Sequence, residues 1–75
     1  MTHPVDIEIG ARIKRRRRDR HLTQTELARA IGVSFQQVQK YECGTNRVSA
    51  SRLVQIAHTM NMHPAEFFAG MAPEK

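Results

Sequence analysis

Apolar side chains recur along this chain at three- and four-residue intervals, without the strict alternation that marks strands. Val5, Ile9 and Ile13 form one row, and Leu27, Ala28 and Ile31 a second. Val38 with Tyr41 gives a third, and Leu53, Ile56, Ala57 and Met60 a fourth. Such spacing gathers the apolar groups on one face of an α-helix. Asn-Gly hairpin turns are absent as well, so no strand reading competes.

Punctuation between the rows sets the boundaries. The first helix is predicted to begin between Pro4 and Ile7, with Asp6 in its first turn. Thr23-Gln24-Thr25-Glu26 fits a capping box ahead of the second helix, and Gly32 suits the left-handed residue that ends it. Ser34 is a good N-cap for a third helix that stops before Gly44, and Ser49 caps a fourth. Pro64 fits the first position of a short fifth helix containing Phe67 and Phe68. The expectation is all-α: five short helices around one core, as a single domain over 1–75 with a loose arm 1–4 and a fraying tail 70–75.

Composition narrows the setting. The chain has 75 residues, enough for one modest core, and a formal charge of +5. A basic balance suits a polyanionic partner, although many small proteins are basic for solubility alone. The run Lys14-Arg15-Arg16-Arg17-Arg18-Asp19-Arg20 advances about 100° per residue and so wraps around its helix. Some of those side chains must therefore lie against the protein, their stems covering apolar surface. A lone cysteine, Cys43, excludes an internal disulfide and fits a reducing compartment. No apolar run approaches the roughly 20 residues of a membrane span, and the N-terminus lacks a signal-peptide core. A cytoplasmic protein with no membrane partner is expected.

The third helix carries the candidate chemistry. With Val38 and Tyr41 turned inward, Gln36, Gln39, Lys40 and Cys43 point outward. Phe35 then lies on the flank and Gln37 nearer the core. A helix held from behind and polar in front can enter the major groove of DNA, contacting bases mainly from its N-terminal end. That favours Phe35, Gln36, and Gln39 or Lys40. Glutamine can bond adenine N6 and N7 through both ends of its amide, lysine can donate to guanine O6 and N7, and Phe35 can meet a thymine methyl. The plainer alternatives are solvated glutamines and a Phe35 that packs on the second helix.

Leu22-Thr23-Gln24 with Glu26-Leu27-Ala28, then Gly32, Val38, and Glu42 with Gly44, resemble the Cro/C1-type (XRE) helix-turn-helix family of phage repressors and Cro proteins. The resemblance runs from about Ile9 to Phe68. It implies a lambda-repressor-like domain with base-reading positions at Ser34, Phe35, Gln36, Gln39 and Lys40. Gln24 would contact a DNA phosphate at the positive end of its helix. Asn46, Arg47, Ser49 and Ser51 correspond to a second phosphate-contacting segment, and Arg17 and Glu42 to a structural ion pair. Helix spacing supports that pair, since Arg17 continues the inner stripe of the first helix and Glu42 lies beside the inner face of the third. Two positions depart from the family pattern. Cys43 replaces a polar or basic group, and Phe35 a polar residue that reads a base in several phage relatives.

The leading expectation is a sequence-specific DNA-binding transcriptional regulator, a homodimer on a two-fold related operator in double-stranded DNA. The alternative is an antitoxin-like subunit that covers a protein partner and also binds DNA. RNA binding is a third option, weakened by the lack of an aromatic stacking platform. Enzymatic activity, a metal and a cofactor are not expected. His3, His21, His58 and His63 lack metal-ligand spacing, and no glycine-rich phosphate loop is present. Cys43 has no evident activating partner and reads as an inert small side chain.

Overall fold

A computed structural model describes residues 2–71. Four α-helices follow one another: α1 Pro4–Asp19, α2 Gln24–Ile31, α3 Phe35–Glu42 and α4 Ala50–Thr59. The segment expected as a fifth helix is a single 3-10 turn, Pro64–Phe67. Its four residues are too few to establish an α-helical ladder, and i→i+3 bonds close it: Glu66 N–H donates to His63 O and Phe68 N–H to Ala65 O. Met1 and residues 72–75, placed in the loose arm and the fraying tail, lie outside the described residues. Pro4 belongs to α1, and His3 caps it by accepting the Val5 N–H at 3.1 Å on Nδ1.

Local chemistry accounts for each helix start. Thr23 Oγ1 accepts the Glu26 N–H at 3.0 Å, and the Glu26 carboxylate accepts the Thr23 N–H at 2.9 Å. This reciprocal box satisfies two donors that the first turn of α2 would otherwise leave orphaned. Ser34 Oγ accepts from Gln37 N–H, and Ser49 Oγ from Arg52 N–H, both at 3.2 Å. Between α2 and α3, Gly32 takes φ +76°, and nothing lies within 4 Å of where its Cβ would be. Backbone conformation alone therefore requires glycine at the tight turn.

The core draws on every element. Ile9, Ile13, Leu27, Ala28, Ile31, Val38, Leu53, Ile56, Ala57, Met60, Met62 and Phe67 form one buried cluster. Val5, Leu22, Val33, Tyr41, Val48 and Met71 close its edges. Gly10 sets how near α1 comes to α3. A Cβ there would stand 2.2 Å from the carbonyl oxygen of Tyr41 and 2.8 Å from that of Glu42, both backbone atoms that cannot swing away. The missing side chain lets the two helices touch backbone to backbone.

Candidate nucleic-acid interface

Helix α3 is fixed on its inner side and open on its outer side. Val38 is fully buried and Glu42 nearly so, whereas Phe35, Gln36, Gln39 and Lys40 are exposed. Tyr41 and Gln37 are half-buried at the margins. Phe35 is 42% exposed, so part of its ring lies on the outer surface. Ser34 is exposed too, its oxygen engaged as the helix cap while its O–H remains a donor.

The residues expected to meet phosphates fall into two groups. Gln24 is the first residue of α2, half-buried, and its side-chain Nε2 donates to Glu42 Oε1 at 3.0 Å. Asn46, Arg47, Ser49 and Ser51 occupy the α3–α4 loop and the first turn of α4. Asn46 N–H donates to the Lys40 carbonyl at 3.3 Å, drawing this loop back against the end of α3. Ser49 and Ser51 place their hydroxyl oxygens 3.3 Å apart. Among the described residues, no hydrogen bond ties the Gln36 side chain to either group.

Two arginine–carboxylate pairs brace this surface. Arg17, on α1, sends Nε to Glu42 Oε2 at 2.6 Å and Nη2 to Oε1 at 3.1 Å. Its remaining Nη1 donates to the Leu22 carbonyl at 2.8 Å, so one guanidinium joins α1, the corner before α2, and α3. Arg47, in the α3–α4 loop, places Nε 3.2 Å from both carboxylate oxygens of Asp6 at the start of α1. The Arg47 side chain stays 72% exposed and Asp6 only 13%, so the guanidinium edge not engaged by Asp6 faces solvent.

Sequence reasoning missed the Asp6–Arg47 and Gln24–Glu42 contacts. Each joins residues far apart along the chain, and no local pattern marks them. Gly10 was also missed, although a glycine between Ile9 and Ala11 in a helical stripe is itself a signal of close approach. Cys43 lies exposed at the end of α3, its Sγ 2.9 Å from Thr45 Oγ1. Hydrogen bonding from the Thr45 side chain, then from the Thr45 backbone, holds the thiol below its ordinary range. No cluster of three or more His, Cys, Asp or Glu suited to a metal occurs among the described residues. Nor is any helix there long and apolar enough to cross a membrane.

The sequence profile of the helix-turn-helix family matches residues 13–67, from the core of α1 to the last residue of the 3-10 turn. The chain belongs to that family, of Cro/C1 (XRE) type. An HTH-type transcriptional regulator of Sinorhizobium fredii, y4aM, is 55% identical over 67 residues, which cover 89% of this chain and 47% of that protein. This helix-turn-helix chain spans about half the length of the curated relatives it matches first. Among solved structures, the clp gene regulator ClgR of Corynebacterium glutamicum superposes with a TM-score of 0.85 at 26% identity, covering 96% of this chain and 99% of that one. The P22 c2 repressor, solved in complex with a synthetic operator, shares the fold with a TM-score of 0.75 at 22% identity, over 84% of this chain and 96% of that one.

Proposed function

We propose that this domain binds double-stranded DNA sequence-specifically, with α3 in the major groove, and regulates transcription as a homodimer on a two-fold related operator. The observation that carries this reading is the outer row of α3. Gln36, Gln39 and Lys40 stand exposed beside Phe35, on a helix capped by Ser34 and anchored behind by Val38 and Glu42. Ser34, Phe35, Gln36, Gln39 and Lys40 read base edges in this scheme. Gln24, Asn46, Arg47, Ser49 and Ser51 hold the flanking phosphates and set the register.

Relatives support the reading. ClgR is named as a gene regulator and y4aM as a transcriptional regulator, and the P22 c2 repressor was solved on an operator. The capped start of α2 presents uncapped N–H groups and a partial positive charge, which suits a phosphate.

Selection of bound sequences from random duplexes, followed by gel shift, tests the proposal. Gln36→Ala and Lys40→Ala should each weaken binding to the selected duplex by on the order of 1–3 kcal/mol, since each removes a base contact. Wild-type affinity in both variants would place the reading face elsewhere. Affinity should fall steeply with salt as counterions are released from the neutralised phosphates. Selected sites should show half-sites about 34–36 Å apart, one turn of duplex, if two copies bind together.

A further inference from the structure

The carboxylate of Glu42 holds more than its ion pair. Arg17 reaches Oε2 through Nε at 2.6 Å and Oε1 through Nη2 at 3.1 Å. Gln24 Nε2 comes to the same Oε1 at 3.0 Å. An ionised carboxylate only accepts hydrogen bonds, so it must face the amide nitrogen of Gln24 and not its oxygen. The choice of amide orientation, free in a solvated glutamine, is thereby made chemically. One amide N–H is committed to Glu42 and the second is left to point away from it.

That second donor belongs to the first residue of α2, the helix start that also carries the N–H groups of Gln24 and Thr25. The capping box takes the N–H groups of Thr23 and Glu26 and leaves these two open. The first two residues of α2 thus offer three donors, two on the backbone and one on a side chain held by Glu42. Arg17 holds the Glu42 carboxylate in place with two hydrogen bonds, and its fork also grips the Leu22 carbonyl two residues before Gln24.

We infer that the Arg17–Glu42 pair is a positioning device for phosphate binding, with Glu42 orienting the Gln24 amide and Arg17 holding Glu42. This rests on the DNA-binding reading above and extends it to two buried residues that touch no nucleic acid. Replacing both residues together, Arg17→Met with Glu42→Met, removes the device without changing net charge. Paired apolar replacement of a buried ion pair generally keeps the fold.

The experiment measures fluorescence anisotropy of a labelled duplex recovered by selection. Gln24→Ala should weaken wild-type binding by about fivefold, the scale expected for one directed contact. The Arg17→Met/Glu42→Met protein should bind about fivefold more weakly already, and adding Gln24→Ala should change it by less than about twofold. The salt slope should stay as in wild type, because glutamine displaces no counterion. An equal effect of Gln24→Ala in both backgrounds would overturn the positioning role and leave the DNA-binding reading intact. Failure of the wild type to bind any selected duplex would overturn both. Should the paired variant not fold, NMR of the wild type decides. The Gln24 side-chain amide proton facing Glu42 should exchange slowly with solvent, and the other should shift on addition of duplex. Amide protons that both exchange as fast as those of a free glutamine, or that stay unshifted, would sink the inference.

Discussion

The two arginine–carboxylate pairs use the same chemistry in opposite surroundings. Arg17 and Glu42 are 9% and 3% exposed, at 2.6 Å, while Arg47 and Asp6 are 72% and 13% exposed, at 3.2 Å. Water screens the second pair and solvates its guanidinium if the bond opens. It can do neither for the first. Burial removes both charges of the inner pair from water, and their attraction offsets that loss only while every donor and acceptor is met. Here they are: among the described residues, no buried side-chain nitrogen or oxygen lacks a partner. The inner pair therefore fixes geometry more than it adds stability, and the outer pair steadies a loop without depending on exact fit.

The contrast breaks most sharply under Glu42→Ala. It strands the Arg17 guanidinium in the interior and should destabilise the fold by about 3–5 kcal/mol, read as a thermal or urea melt. A loss under about 1 kcal/mol would mean the inner pair is as solvated as the outer one. Next in size is Gly10→Ala. Alanine favours helix, yet here its methyl would drive into the Tyr41 and Glu42 carbonyls and push α1 off α3. Overpacking of this kind should lower stability by about 1–3 kcal/mol, and a stabilised variant would disprove the close approach. Asp6→Asn tests the outer pair together with the charge in the first turn of α1. Its effect on melting should stay within about 0.5 kcal/mol at moderate salt, shrinking further as salt rises.

The mildest effect belongs to Glu26, a third acidic group, bonded to backbone and fully in solvent. The Thr23 backbone N–H, then the Thr23 hydroxyl, hold its carboxyl below the ordinary glutamate range, with Arg29 adding a smaller pull. The folded state thus takes up this proton less readily than the unfolded chain. Its contribution is whole above the unfolded value and fades as pH falls through the folded one. Melts of wild type and Glu26→Gln should converge as the solution is acidified below the glutamate range. A gap that stays constant with pH would show that the carboxylate charge plays no part in the cap.

Much of the architecture was legible because it is written locally. Thr23 with Glu26, Ser34, Gly32 and Ser49 act within a few residues of themselves, and all five sit where their chemistry suggests. The apolar rows gave the core for the same reason, since helical period converts spacing directly into a face. The fifth element was misjudged because Pro64 and Phe67 mark a start and a buried anchor but say nothing of length. One turn closed by i→i+3 bonds is enough to bury Phe67, and the chain reaches a left-handed turn at Gly70, φ +77°, three residues later. In the candidate interface, the outward row of α3 could be drawn on a helical wheel. The partners Asp6 for Arg47 and Glu42 for Gln24 could not, because they depend on how α1 and α2 are placed in space.

Phe67 is wholly buried, and it comes at the very end of the family's matched segment. During synthesis from the N-terminus, Ile13, Leu27 and Ile56 exist long before this ring arrives to share their cluster. The hydrophobic interior must wait for the last turn of the domain. A truncation just ahead of that phenylalanine would leave a sticky, half-closed molecule, prey to proteases and self-association, however complete its four helices look on paper.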